Sequence, residues 1–90
     1  MPTRTVAVAS SSGLHARPAS IFTQAAADSG VDVLIAHGDE EPVDAASILM
    51  VMALGVPSGA EVTLSADGPD ADRVLDELVA LLATDLDKEP

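Results

Sequence analysis

Ninety residues allow one domain and leave no room for a second core, so positions 1–90 are read as a single unit. Fifteen acidic against four basic side chains give a formal charge of −11, which excludes the basic patch of a nucleic-acid binder and disfavours anionic lipid. With no cysteine, disulfides, thiolate metal sites and thiol nucleophiles are excluded, which fits a reducing cytoplasm.

The opening, "MPTRTVAVASSSG", lacks the apolar stretch of a secretory signal. The run at 48–56, "ILMVMALGV", falls well short of the roughly 20 residues that span a bilayer. No membrane insertion is expected, and the protein is placed in the cytoplasm. Phe22 is the one aromatic residue, so the interior must be aliphatic.

"RTVAVAS", 4–10, alternates Val6 and Val8 with smaller residues and predicts a strand. Ser10 to Gly13 form a loop. From Ala16 to Asp28 an Ala-rich helix is expected, with Ala19, Phe22 and Ala26 on one face and Gly30 just past its end. "VDVLIAH", 31–37, is β-branched and reads as a strand, followed by the turn "GDEE" and a short returning strand, "PVDA". Pro42 cannot donate to a ladder, which puts that strand at a sheet edge. Ser47 opens a short helix that ends near Gly55, and "GAEVTLSA", 59–66, predicts the last strand. "DADRVLDELVALLA", 70–83, is an amphipathic helix with Val74, Leu75, Leu78, Leu81 and Leu82 as its apolar stripe.

The order β-α-β-β-α-β-α, without strict βα alternation, argues for an α+β fold. The expected architecture is an open-faced two-layer sandwich, a four-stranded antiparallel sheet with three helices on one face and water on the other.

The chemistry-bearing stretch is "SSSGLHARPAS", 10–20. His15 falls at the N-cap of the first helix, with Ala16, Arg17 and Pro18 in its first turn. First-turn amides have no partner within the helix and, with the macrodipole, make an anion site. Pro18 lacks an amide proton the helix does not need, yet it disfavours helical geometry at Arg17, a tension that suggests a local backbone shaped for purpose. An ordinary imidazole titrates near pH ~6.5 and can act as a neutral nucleophile. Once a phosphoryl group sits on the ring, Arg17 and the amides of Ala16 and Arg17 can stabilise its oxygens. Nothing nearby supplies a metal site or a nucleotide cradle, so the chain would receive a phosphoryl group and hand it on. A histidine at a helix start is also commonly a plain cap or surface residue.

"SGLHARPAS" resembles the active-site signature of the HPr family, the histidine-containing phosphocarriers of the bacterial sugar phosphotransferase system. "AASILMVMALGV", 45–56, resembles that family's second helix, and "SGAEVTLSADG", 58–68, its last strand. The resemblance implies a carrier phosphorylated at Nδ1 of His15, with Arg17 as its partner. It implies enzyme I as the donor, ultimately from phosphoenolpyruvate, and the IIA components of sugar permeases as acceptors. Such a carrier has no turnover of its own and requires no cofactor or metal. It also implies a regulatory serine at Ser47, served in some members by a kinase/phosphorylase, although Ser47 is equally an ordinary helix N-cap. Ile48, Leu49 and Met52 are expected outward as a docking face and Leu54 inward, with Phe22 undecided. A monomer is expected, because one face must meet two partners.

Two departures from the family pattern stand out. Gln24, Ala27 and Met50 occupy places where lysines are common, leaving Arg17 as the main cation, and docking is expected to be mostly apolar. The "GDEEP" turn carries one extra residue, which shifts Ser47 by one place; His37 beside it is taken as a surface residue. The competing readings are a nitrogen-type regulatory phosphorelay and a binding module that works through Ser47 alone. The second of these requires neither His15 nor Arg17.

Overall fold

The computed structural model describes residues 2–85; positions 1 and 86–90, which the single-domain reading includes, lie outside the described residues. The elements run β1 (Thr3–Ala7), α1 (Ala16–Asp28), β2 (Val33–His37), β3 (Val43–Asp44), α2 (Ile48–Ala53), β4 (Glu61–Ala66) and α3 (Ala71–Leu82). The sheet order is β1-β4-β2-β3, with every neighbouring pair antiparallel. This is the α+β open-faced sandwich expected from the element order.

Alternation along the strands makes the two layers. On β4, Val62, Leu64 and Ala66 are buried, and in register with them lie Val33 and Ile35 of β2. These side chains meet Ala19, Phe22 and Ala26 of α1, Val51 of α2, and Val74, Leu75, Leu78 and Leu82 of α3 in one core. The opposite face carries Thr3, Thr5, Glu61, Thr63 and Ser65 on β1 and β4 beside Leu34 and Ala36 on β2, and Thr5 and Thr63 touch across it through their hydroxyls at 3.3 Å. Phe22 is fully buried, which decides its orientation. Leu81, expected on the apolar stripe of α3, is only half-buried, because it lies at the margin of the face that Leu78 and Leu82 define.

Both predicted ends of β1 shift. The ladder stops at Ala7, but Val8 still donates to the Ala60 carbonyl at 2.9 Å and accepts from Gly59 at 2.8 Å. Ala9 then turns away and donates to the Leu82 carbonyl, at the end of α3. β2 begins two residues later than expected, because Ser29 caps the exit of α1: its hydroxyl donates to the Ala26 carbonyl at 2.6 Å and accepts from the Val31 amide at 3.1 Å. β3 keeps only two residues at the sheet edge, beside Pro42.

Across the sheet, Arg4 of β1 binds Asp72 at 2.9 Å and Asp76 at 3.1 Å on α3. Hydrogen bonds to Asp72 and then Asp76 raise the Arg4 pKa above its ordinary value. A raised cation contributes fully below its unfolded pKa and weakens only as pH climbs past the folded one. This tie is therefore insensitive to any pH near neutral.

Candidate functional site

Leu14 and Pro18 are buried, whereas His15, Ala16 and Arg17 between them are exposed. Two apolar anchors thus pin a three-residue segment and leave its side chains in water. Leu14 is fixed further by its amide, which donates to the Val56 carbonyl at 2.9 Å. Upstream, Gly13 closes a tight turn by donating to the Ser10 carbonyl.

His15 occupies the N-cap of α1 with extended backbone, φ −138° and ψ 154°, yet its side chain makes no capping hydrogen bond. The ring is not used to close the helix, which removes the plain-cap reading. The first-turn amides keep the electropositive character of a helix start. No acidic residue lies in that turn to cancel it. An exposed ring at a helix start can receive an anionic group and stabilise it with backbone dipoles.

Backbone strain lies beside this proline tension, one residue before Arg17. Ala16 has φ +49°, and it is the single non-glycine with positive φ among the described residues. Left-handed geometry costs an alanine roughly 1–2 kcal/mol. It persists because Leu14 and Pro18 are both locked into the core on either side.

The second helix starts at Ser47, whose hydroxyl accepts from the Met50 amide at 3.3 Å. Replacing Ser47 with alanine removes this cap and should lower stability by about 1 kcal/mol in urea unfolding. On α2, Ile48 and Leu49 are exposed, as expected. Met52 is not: it is half-buried and packs against the core, while Met50 stands 43% exposed. Leu54 is half-buried against the core. Ile48, Leu49 and Met50 form the exposed apolar row, because Val51 alone of this helix is fully buried and sets its inward direction.

His37 is not a plain surface residue. It is half-buried at the end of β2, with Nδ1 3.5 Å from Glu40 across the turn. Sequence reasoning placed Gly13 in the loop but missed the constraint on it. Its φ is +75°, and a Cβ there would fall 2.2 Å from the Val56 carbonyl oxygen. The glycine immediately before "LHARP" was the available signal.

A family profile described as "PTS HPr component phosphorylation site" matches residues 2–84. The phosphocarrier protein HPr of Streptomyces coelicolor is 47% identical over 90 residues, spanning 100% of this chain and 97% of that protein. The chain belongs to the HPr family.

Its relatives include the HPr of Haloferax volcanii, 46% identical over 82 residues and spanning 90% of this chain and 92% of that one. Among solved structures, HPr-C-His from Thermoanaerobacter tengcongensis superposes with a TM-score of 0.89 at 36% identity, covering 100% of both chains. HPr from Bacillus anthracis gives 0.84 at 34% identity, covering 90% of this chain and 95% of that one. As an HPr, the chain is a phosphocarrier of the phosphotransferase system. No helix among the described residues is long and apolar enough to cross a membrane.

Proposed function

We propose that His15 accepts a phosphoryl group from enzyme I and passes it to IIA components of sugar permeases. The phosphoryl group originates in phosphoenolpyruvate. A bond forms between Nδ1 and phosphorus as the donor's bond to phosphorus breaks, and the reverse occurs at the acceptor. The chain returns unchanged, a carrier with no turnover of its own. The observation that carries this reading is an exposed, uncapped imidazole held at the start of α1 between the buried Leu14 and Pro18. Arg17 and the backbone amides of Ala16 and Arg17 stabilise the added charge.

The docking face is the exposed row Ile48, Leu49 and Met50, with Met52 supporting it from beneath. Exposed apolar patches of this kind mark partner sites. Enzyme I and IIA use the face in turn, so the carrier works as a monomer. Leu49 is 77% exposed, so Leu49→Ala should leave the melting temperature unchanged while slowing phosphoryl transfer about tenfold in rapid-quench assays. Ser47 would serve as the regulatory site: a phosphate there adds roughly −1.5 to −2 charge beside this face and would obstruct apolar docking.

The reading is tested by incubation with phosphoenolpyruvate and the cognate enzyme I, then phosphosite mapping. An acid-labile phosphate on His15 supports it. No label, with a donor shown to be active on another carrier, removes it.

A further inference from the structure

The turn between β4 and α3 runs Asp67-Gly68-Pro69-Asp70 and holds the one aspartate of the chain that is followed by glycine. Glycine has no side chain to shield its amide nitrogen. Both residues are exposed, and nothing lies within 4 Å of the position a Gly68 Cβ would take. Gly68 has φ +108°, and its amide donates to Oδ1 of Asp67 at 3.2 Å. Nitrogen and carboxyl group already lie face to face, and positioning of this kind lowers the barrier to a reaction between them. Elsewhere the same two groups are kept apart. The amides that follow Asp28, Asp39, Asp44 and Asp70 donate instead to the main-chain carbonyls of Ala25, His37, Val33 and Gly68, at 2.9–3.2 Å. Asp72 and Asp76 lie within α3, and Arg4 occupies their carboxylates at 2.9 Å and 3.1 Å. Asp32 is followed by Val33, whose branched side chain crowds its own nitrogen.

We propose that Asp67 is a site of slow, spontaneous isomerisation to isoaspartate. The Gly68 nitrogen attacks Cγ of the protonated Asp67 carboxyl. An N–Cγ bond forms, a Cγ–O bond breaks, and the departing hydroxyl leaves as water with the amide proton. The succinimide ring that results takes up water at either carbonyl. Addition at Cγ restores aspartate. Addition at the main-chain carbonyl of Asp67 breaks its bond to the Gly68 nitrogen and leaves the chain running through Cγ. Mass and charge are unchanged, but the main chain gains a methylene. Asp67, Gly68, Pro69 and Asp70 wall one side of an open cleft of about 520 Å³, which gives water access to the ring. The added length falls where the Ala71 amide donates to the Gly68 carbonyl at 3.2 Å, so it loosens the entry to α3. Thr3 pairs with Ser65 and Ala7 with Glu61, so this turn lies at the other end of the sheet from the loop that leads to His15. The inference goes beyond the carrier reading and does not depend on it.

The test ages the full chain for weeks in warm, neutral buffer beside D67E and D67N. Isoaspartate is counted with an isoaspartyl methyltransferase and labelled S-adenosylmethionine. It is located by digestion with a protease that cuts before aspartate but not before isoaspartate. The expected result is methyl label that rises with age, at least about tenfold above D67E, whose longer side chain must close a larger ring. The cut before Asp67 is lost in step, while the cut before Asp28 persists. D67N should label faster than the unchanged chain, because ammonia leaves in place of water. Asp67 is exposed, so both variants should fold, and D67N carries the comparison should D67E not do so. No label on the unchanged chain, equal label on D67E, label on D67N no faster than on the unchanged chain, or label that maps to Asp28 overturns the proposal.

Discussion

His15→Ala is expected to reduce phosphoryl acceptance to below about a thousandth of the original rate while leaving the fold intact. The loss is this large because covalent transfer has no route without its nucleophile. The fold survives for reasons visible at the site. His15 is exposed, its side chain makes no cap bond, and its extended backbone angles suit alanine equally well. Stability should therefore change by no more than about 0.5 kcal/mol. Labelling from phosphoenolpyruvate with enzyme I, together with a thermal melt, measures both halves. His37→Ala is the matched control and should label normally, since that ring sits at the end of β2, facing Glu40. Persistent label in His15→Ala would place the acceptor elsewhere and end the present assignment.

Gly13→Ala carries the largest expected effect on folding. Its Cβ would meet the Val56 carbonyl oxygen at 2.2 Å, and the carbonyl carbon and Cα of Pro57 at 2.9 Å each. These are backbone atoms, so no side chain can swing aside. Left-handed strain and the forced separation together should cost about 2–5 kcal/mol. Gly30 supplies the internal comparison: its φ is also +75°, but nothing lies within 4 Å of its Cβ position. Gly30→Ala should then cost only the strain, roughly 1–2 kcal/mol. Equal losses for the two variants in urea unfolding would refute the close contact. Moving the Gly13 backbone also breaks the hydrogen bond from Leu14 to Val56, so the folded fraction of Gly13→Ala should transfer phosphate more slowly.

Element type and order were legible because each long element had a clear period. The Val62, Leu64 and Ala66 alternation and the Val74, Leu75, Leu78 and Leu82 stripe both report burial directly. The orientation of α2 was not legible. All six of its residues are apolar, so no periodicity marks an inner side, and only tertiary packing of Val51 decides that Met50 rather than Met52 faces outward. At the site, the placement of the histidine, arginine and proline at a helix start was legible, while their roles were implied by the family resemblance. The φ of Ala16 was not legible, because it follows from anchors on both sides acting at once. Gly13 was missed for a related reason: its neighbour, Val56, lies 43 positions further along and is brought to it only by folding.

The long-range braces on the His15 loop come from later in the chain: Val56, Ala60 and Leu82 accept backbone amides of the segment leading into it, and β1 pairs with β4. A ribosome that has released only the first half of this polypeptide has therefore made the acceptor ring but not its seat. Residues past 80 must emerge before the loop is fully held. Truncated or nascent products should then be poor phosphate traps.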